Sequence, residues 1–139
     1  MSVINVVVID GQGGKMGQLV IERIRADGIP CRITAIGTNS IATSAMLKAG
    51  ANAGATGENP TQVACRTANV IVGPIGILVA DALLGEVTPP MAVAVGQSSA
   101  IKLLLPVNLC NNIIVGTAQL SLAKLIDESV AALALLVKG

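Results

Sequence analysis

The sequence predicts a three-layer α/β domain with a mainly parallel sheet of five strands. Apolar segments of strand length alternate with segments of helical periodicity along the 139 residues, which is the pattern of a parallel sheet covered by helices. The first strand runs through a glycine-rich turn directly into a helix. A chain of this length buries about two-thirds of its unfolded surface around one core, so we expect a single domain over residues 1–139.

The glycine-rich turn reads Asp-Gly-Gln-Gly-Gly-Lys-Met-Gly over residues 10–17 and follows a β-branched run at residues 3–9. Glycines here serve a tight turn, the close approach of a pyrophosphate and the packing of a helix on the sheet. The following helix offers unpaired N–H groups and its positive dipole end to an anion. The pattern predicts a Rossmann-like, doubly wound fold that binds a nucleotide or phosphorylated ligand, and a purely structural turn is the alternative. The predicted ligand-binding residues are Gly11, Gln12, Gly13, Gly14, Lys15, Met16 and Gly17.

The second predicted strand, residues 31–36, bears on the identity of the ligand. In dinucleotide folds an acidic residue at the end of this strand binds the ribose 2′-hydroxyl of NAD. This chain has no acid there. Thr38, Asn39 and Ser40 offer hydroxyl and amide groups, which fit a 2′-phosphate better than a carboxylate would, so we expect NADP or NAD with NADP favoured. Capping of the next helix by Asn39 or Ser40 is the structural alternative.

The third predicted strand, residues 69–72, ends at Gly73 and Pro74. If it lies beside the first strand, these two residues face the glycine turn across the switch point of the sheet and form a second part of the site. Asp81 interrupts an apolar helix further on, and we expect it to be exposed. The predicted helices after the first one cover residues 41–49, 61–67, 76–84, 88–98 and 117–138, and residues 50–60 are predicted to be a loop.

The end of the sheet is predicted from the spacing of two apolar runs, residues 101–105 and 113–115. The connection between them is too short for a parallel crossover. We therefore predict an antiparallel edge strand at residues 113–115 and the strand order 2-1-3-4-5. The connecting loop contains Asn108 and Cys110. Since the chain has no histidine to activate a thiol, a structural Cys110 is favoured over a catalytic one.

The last predicted helix, residues 117–138, is apolar on every side from Val130 to Val137. A terminal surface helix of a monomer should keep one polar face. We therefore expect this helix to lie at a subunit interface of a homodimer or larger closed assembly.

The composition excludes several functions. Nine Lys and Arg and eight Asp and Glu are spread along the chain, so no basic stripe exists for nucleic acid. The absence of histidine excludes imidazole catalysis and ligation, and Cys31, Cys65 and Cys110 lack the spacing of a zinc or disulfide framework. Without a long uncharged apolar run or a signal-peptide pattern, we expect a soluble, cytoplasmic protein with no membrane partner.

Residues 11–17, Gly-Gln-Gly-Gly-Lys-Met-Gly, resemble the opening of dihydrodipicolinate reductases over the first part of the chain. Nearly the whole chain also resembles a family of small, uncharacterised bacterial proteins classed as a domain of unknown function. The shared motifs are Ile-Asp-Gly-Gln-Gly-Gly at 9–14, Gly-Thr-Asn at 37–39 and Gly-Pro-Ile at 73–75. Since that family carries no established activity, the resemblance supports the fold and the glycine turn as a site and implies no reaction.

These observations predict a nucleotide-binding protein that holds NADP(H) or NAD(H) at the glycine turn, with Lys15 available to a phosphate. One alternative is a small oxidoreductase or phosphoryl-handling enzyme in which Asp10 or the Cys110 loop acts on a substrate. Asp10 more often braces such a turn by hydrogen bonding. Another alternative is a ligand-free structural or regulatory homo-oligomer. The sequence assigns no catalytic residue.

Overall fold

The computed structural model describes residues 3–107, 109, 111–117 and 120–139. These residues form an α/β fold in which five helices flank a five-stranded, all-parallel sheet of order 3-2-1-4-5. The strands are β1 Asn5–Asp10, β2 Arg32–Gly37, β3 Ala53–Thr56, β4 Val70–Pro74 and β5 Ile101–Leu105. The helices are α1 Lys15–Ala26, α2 Ser40–Lys48, α3 Glu58–Thr67, α4 Pro89–Gln97 and α5 Leu122–Lys138, with a short 3-10 helix at Ile75–Leu78.

The alternating side chains of the central strand divide the apolar core between the two faces of the sheet. Val6 and Val8 on β1 pack in the cluster that includes α1, α2 and α5. Val7 and Ile9 pack in a second cluster with residues of α3 and α4. These four apolar side chains of β1 are at most 3% exposed. Burial on both faces explains why the first strand reads as a continuous apolar run in the sequence.

The predicted strand order 2-1-3-4-5 with an antiparallel edge strand is wrong, and the difference comes from two segments. The predicted loop at 50–60 contains β3, which pairs in parallel with β2 from Thr34 opposite Ala53 to Gly37 opposite Thr56. Its small residues carry little intrinsic strand preference, so pairing and packing decide its conformation. Residues 113–115 form no strand, and Ile113 and Val115 are 88% and 92% exposed.

The predicted helix over 76–84 is also largely absent. The 3-10 helix ends at Leu78, and tight turns follow in which Asp81, Leu83 and Leu84 have φ angles of 66°, 57° and 56°. These left-handed conformations are incompatible with a continuing α-helix. The apolar composition of this segment reflects packing of Ala82 and Leu83 against Val87 and α4, whereas Asp81 is exposed as expected.

The C-terminal helix α5 begins at Leu122 rather than at 117, where the Ser121 hydroxyl caps the N–H of Lys124. It buries Leu125, Ile126, Val130 and Leu133 in the cluster shared with α1 and β1. One apolar face of α5 is thus covered within the chain, while Leu135 is 71% exposed. Across the described ranges, α5 included, no helix has the length and hydropathy needed to cross a membrane.

Candidate functional site

The glycine loop, residues 10–17, lies at the carboxyl end of β1, between the ends of β2 and β4. From β1 the chain builds β2 and β3 on one side of the sheet and then crosses to build β4 and β5 on the other side. This reversal is the topological switch point at which open α/β sheets bind ligands. Within the loop, the Gly14 N–H donates to the Gly11 carbonyl at 2.9 Å. That bond closes the turn and lets α1 begin at Lys15.

The Asp10 carboxylate holds the two ends of the glycine loop together. Its Oδ1 accepts a hydrogen bond from the Gly11 N–H and its Oδ2 accepts one from the Gly17 N–H, both at 2.8 Å. Asp10 is only 4% exposed. Burial raises the pKa of this carboxyl, the two N–H bonds oppose that shift, and the charge of Glu86 adds to it. Asp10 is therefore a bracing residue whose two oxygens are already engaged.

Three of the four glycines in the loop are required by the fold itself. A Cβ on Gly11 would overlap the Thr38 hydroxyl and lie 2.8 Å from Leu83 Cδ1. Gly14 has a φ of 73°, and its Cβ would lie 2.7 Å from the Cα of Ala42. A Cβ on Gly17 would lie 2.5 Å from Met46 Sδ and 3.1 Å from Asp10 Cβ. Turn geometry and close packing therefore account for these three residues without a ligand.

Gly13 differs from its neighbours because the fold does not require it. Apart from its chain neighbours, no described atom lies within 4 Å of the position that a Cβ would take, and its φ is outside the left-handed range. Gly13 is also exposed. Its lack of a side chain leaves open space over the loop, which is what close approach by a ligand requires.

Three backbone donors lie beside that space. Among the described residues, none accepts a hydrogen bond from the N–H groups of Gly13, Lys15 or Met16. The loop lines a cavity of about 240 Å³ that Val107 and Leu122 close on the side of β5 and α5. The cavity therefore combines unpaired N–H groups at the start of α1, the exposed Lys15 side chain and an apolar wall. This arrangement suits an anionic group attached to a larger ligand.

Glu86 is a residue of the site that the sequence did not reveal. It follows the tight turns after β4, and its Oε1 accepts hydrogen bonds from the Gln12 N–H at 2.9 Å and the Thr38 hydroxyl at 2.6 Å. The Asn39 amide donates to the same oxygen at 2.8 Å. One carboxylate oxygen thus ties the glycine loop to the end of β2. The only local signal is an acid that follows Gly85 at the end of an apolar run.

The hydrogen bonds to Glu86 keep it ionised. Partial desolvation acts to raise the pKa of this carboxyl, but the donors Thr38, Gln12 and Asn39 outweigh it, and the net pKa is lowered from its ordinary value. Hydrogen bonds that favour the charged form have this effect. Glu86 therefore carries a full negative charge at neutral pH, next to the outer end of the glycine loop.

The other predicted site residues are placed differently. Thr38 and Asn39 join Gln12 through Glu86, and Asn39 also caps α2 by accepting from the Ala42 N–H. Ser40 is exposed and lines a separate surface groove between α1 and α2. Gly73 and Pro74 are buried in β4, where a Cβ on Gly73 would lie 2.6 Å from the Ile9 carbonyl oxygen. Neither residue lines the glycine-loop cavity.

Cysteines and metal ligands contribute little to the described part of the site. Asn108 and Cys110 lie outside the described residues. Cys31 and Cys65 are buried, and burial raises the pKa of each thiol, which disfavours the reactive thiolate. The described residues contain no group of three or more His, Cys, Asp or Glu side chains that could hold a metal ion.

A larger groove of about 820 Å³ lies between α3 and α4. It is lined by Cys65, Pro89 and Val93 among others, and Arg66 is the only charged residue among the described residues that line it. None of these lining residues belongs to the glycine loop, whose N–H groups at residues 13, 15 and 16 have no acceptor among the described residues. The chemistry of the residues, rather than the size of the groove, therefore selects the glycine-loop cavity as the candidate site.

Comparison with known proteins places the whole fold in one family. No curated protein and no solved structure matched the chain. A family described as a domain of unknown function, DUF3842, matches residues 5–138, which span every strand and helix described above and the complete glycine loop. The chain therefore belongs to the DUF3842 family.

Proposed function

We propose that this protein binds a nucleotide, NAD(H) or NADP(H), with the diphosphate of the ligand held at the glycine loop. The observation that carries the proposal is the open space over Gly13, a glycine that the fold does not require. Beside it, the N–H groups of Gly13, Lys15 and Met16 have no acceptor among the described residues. Each would donate to a phosphate oxygen, and the positive end of the α1 dipole would add to the attraction.

The topology supports a dinucleotide as the ligand. The strand order 3-2-1-4-5 matches the first five strands of the Rossmann dinucleotide-binding fold. The glycine loop follows β1, which is where the pyrophosphate-binding turn lies in that fold. The cavity of about 240 Å³ is smaller than a site for a whole ligand, which measures about 300–1,000 Å³. It fits the diphosphate, and the two nucleosides would extend along the carboxyl edge of the sheet.

Binding is favoured over catalysis by the lack of a free catalytic group. Among the described residues that line the cavity, Asp10 is the only carboxylate, and both of its oxygens already accept N–H groups. Lys15 is exposed at the start of α1 and lines the cavity, so we assign its ammonium group to a phosphate oxygen. We therefore propose a protein that carries or senses its ligand.

Replacing Gly13 with alanine should weaken the binding of NADH and NADPH by about tenfold or more. A methyl group would hold the phosphate away from the loop, and each lost charge-assisted hydrogen bond costs about 1.5–3 kcal/mol. The measurement is a titration of nicotinamide fluorescence, which has a low background because the chain contains no Trp or Tyr.

Gly96→Ala provides the matched control for that titration. Gly96 lies in α4, and the nearest described atom outside that helix to an added Cβ would be Leu78 Cδ2 at 3.8 Å. This variant should bind both dinucleotides as the wild type does. Equal binding by the wild type and Gly13→Ala would refute the assignment of the diphosphate to the loop, and no binding by the wild type would refute the choice of ligand.

We also propose that the chain forms a homodimer through α5. One exposed face of α5 carries four residues at helical spacing, Glu128, Ala131, Leu135 and Lys138, which together we call the stripe. A second copy packed antiparallel about a two-fold axis would place Ala131 against the partner's Leu135. The same symmetry would place Glu128 opposite the partner's Lys138. The stripe is thus complementary to itself in both shape and charge.

Reversing either charge of the stripe should weaken the dimer, and reversing both should restore it. Glu128→Lys or Lys138→Glu would place like charges opposite each other twice per dimer, which we expect to raise the dissociation constant about tenfold. The double variant exchanges the positions of the two charges and recovers both ion pairs between the subunits. Sedimentation equilibrium measures the constants. A wild-type chain that remains monomeric at high concentration, or a double variant no better than the singles, would contradict this interface.

A further inference from the structure

We infer that Glu86 selects the ligand by its ribose, favouring a dinucleotide with a free 2′-hydroxyl, as in NAD(H), over one with a 2′-phosphate, as in NADP(H). The inference rests on the proposed function and specifies the ligand of the same site. It makes Glu86 a specificity-determining residue that comes from the segment after β4, rather than from the end of β2.

The position of Glu86 is the first step. Its Oε1 lies within hydrogen-bond distance of the Gln12 N–H, on the glycine loop, and of Thr38, directly after β2. These are the two elements between which a dinucleotide fold holds the ribose next to the diphosphate. A Cβ on Gly11 would lie 3.0 Å from the same oxygen, so the carboxylate sits against the first glycine of the loop.

The two oxygens of Glu86 have different roles. Oε1 accepts from three donors within the protein and has no capacity left for a ligand. Oε2 accepts no hydrogen bond from any described residue, and the side chain is only partly buried. The bonds to Oε1 thus fix the carboxylate and leave Oε2 as a positioned acceptor. A ribose hydroxyl is a donor that this oxygen can use, whereas a phosphate oxygen offers no proton.

Charge is the second step. Within the described ranges, both ion pairs involve Arg23, near the C-terminal end of α1. No described cation lies within ion-pair distance of Glu86. A 2′-phosphate, which carries about −1.5 to −2 charges at pH 7, would therefore meet an uncompensated negative charge. At a separation of about 4 Å, that repulsion is stronger at a protein surface than in bulk water, because the effective dielectric constant is lower.

The residues expected to favour a 2′-phosphate are already engaged. Thr38 and Asn39 donate to Glu86, and the carbonyl oxygen of the Asn39 side chain caps α2. Ser40 is exposed on a different groove. Glu86 thus supplies the acid that the end of β2 lacks. This inference is therefore the opposite of the preference for NADP that residues 38–40 indicate when the sequence is considered alone.

The test is a titration of the full-length wild type and Glu86→Gln with NADH and NADPH, which differ only in the 2′-phosphate. The variant keeps a carbonyl oxygen that can accept from Gln12, Thr38 and Asn39, so the local structure is retained while the charge is removed. Thr38→Val is the structural control, because it removes one bond to Glu86 and keeps its charge.

We expect the wild type to bind NADH at least about tenfold more tightly than NADPH. Glu86→Gln should lower that ratio to nearly one, mainly by improving the binding of NADPH. Thr38→Val should preserve the ratio even if both affinities fall, since a merely structural role would change both ligands equally. A ratio near one in the wild type, or a ratio unchanged in Glu86→Gln, would overturn this inference and leave the glycine-loop assignment intact. Failure of the wild type to bind either dinucleotide would overturn both.

Discussion

Replacing Gly14 with alanine is expected to lower the free energy of unfolding by about 2–5 kcal/mol, whereas the same change at Gly13 should leave it unchanged or raise it slightly. Gly14 has a φ of 73°, and its Cβ would lie 2.7 Å from the Cα of Ala42. A left-handed alanine costs about 1–2 kcal/mol, and overpacking against backbone costs about 1–3 kcal/mol more. Gly13 has neither constraint, and a compatible Gly→Ala change stabilises by about 0.4–1 kcal/mol.

Urea denaturation followed by far-ultraviolet circular dichroism measures the free energy of unfolding of these two variants. Circular dichroism is used because the chain lacks the tryptophan needed for intrinsic fluorescence. The comparison separates the two reasons for glycine in one loop. If the two variants lost equal stability, Gly13 would be a structural glycine as well, and the open space above it would no longer indicate a ligand. A variant of Gly14 is unsuitable for testing binding, because its loss of stability would obscure the loss of a ligand.

Asp10→Ala is expected to destabilise the protein by about 2–5 kcal/mol. The Gly11 and Gly17 N–H groups would lose, in a buried position, the only acceptor that the described residues offer them, at about 1–3 kcal/mol for each unsatisfied donor. Removing a desolvated carboxylate, whose pKa burial raises, offsets part of this loss. The two donors outweigh that gain because both are buried and their geometry is fixed by the turn.

Asp10→Asn is the matched variant, since it has the same size and keeps one acceptor oxygen. We expect it to retain one of the two bonds and to lose about half as much stability as Asp10→Ala. Chemical denaturation measures the free energy of unfolding of both variants and shows whether Asp10→Asn is the more stable of the two. Wild-type stability in both variants would show that Asp10 does not brace the loop, and would reopen the hypothesis that it acts on a substrate.

The glycine-loop half of the site could be predicted from the sequence because its signals are neighbours along the chain. The apolar run of β1, the glycines at residues 11–17 and the start of α1 are contiguous, and local rules connect a strand to a helix through such a turn. The bracing role of Asp10 follows from the same segment, since an aspartate beside a turn bonds to nearby N–H groups.

The Glu86 half could not be predicted, because tertiary structure assembles it. Glu86 reaches the Gln12 N–H across 74 positions of the chain. It follows a segment whose apolar residues indicate a helix, whereas Asp81, Leu83 and Leu84 adopt positive φ angles. Leucine has no preference for that conformation, and aspartate adopts it only as an isolated residue. Packing against Val87 and α4 determines it.

The edge strands of the sheet could not be predicted from the sequence either. The β3 strand has the sequence Ala-Gly-Ala-Thr, with little preference for a strand, and it forms because β2 offers an unpaired edge. Residues 113–115, Ile-Ile-Val, have a strong preference and form no strand. Strand preference measures fit to a packed, paired surface rather than an intrinsic property of the backbone. Sequence rules that rely on it therefore fail at the edges of a sheet.

The most direct test of the central claim, that the loop holds phosphate through its free N–H groups, is a ¹⁵N–¹H correlation spectrum recorded during titration with NADH. We expect the largest chemical-shift changes at the amides of Gly13, Lys15 and Met16, and smaller changes there on addition of inorganic pyrophosphate. The Gly17 amide, which donates to Asp10, should change less. Shift changes confined to the groove between α3 and α4, with these three amides unaffected, would contradict the assignment of the site.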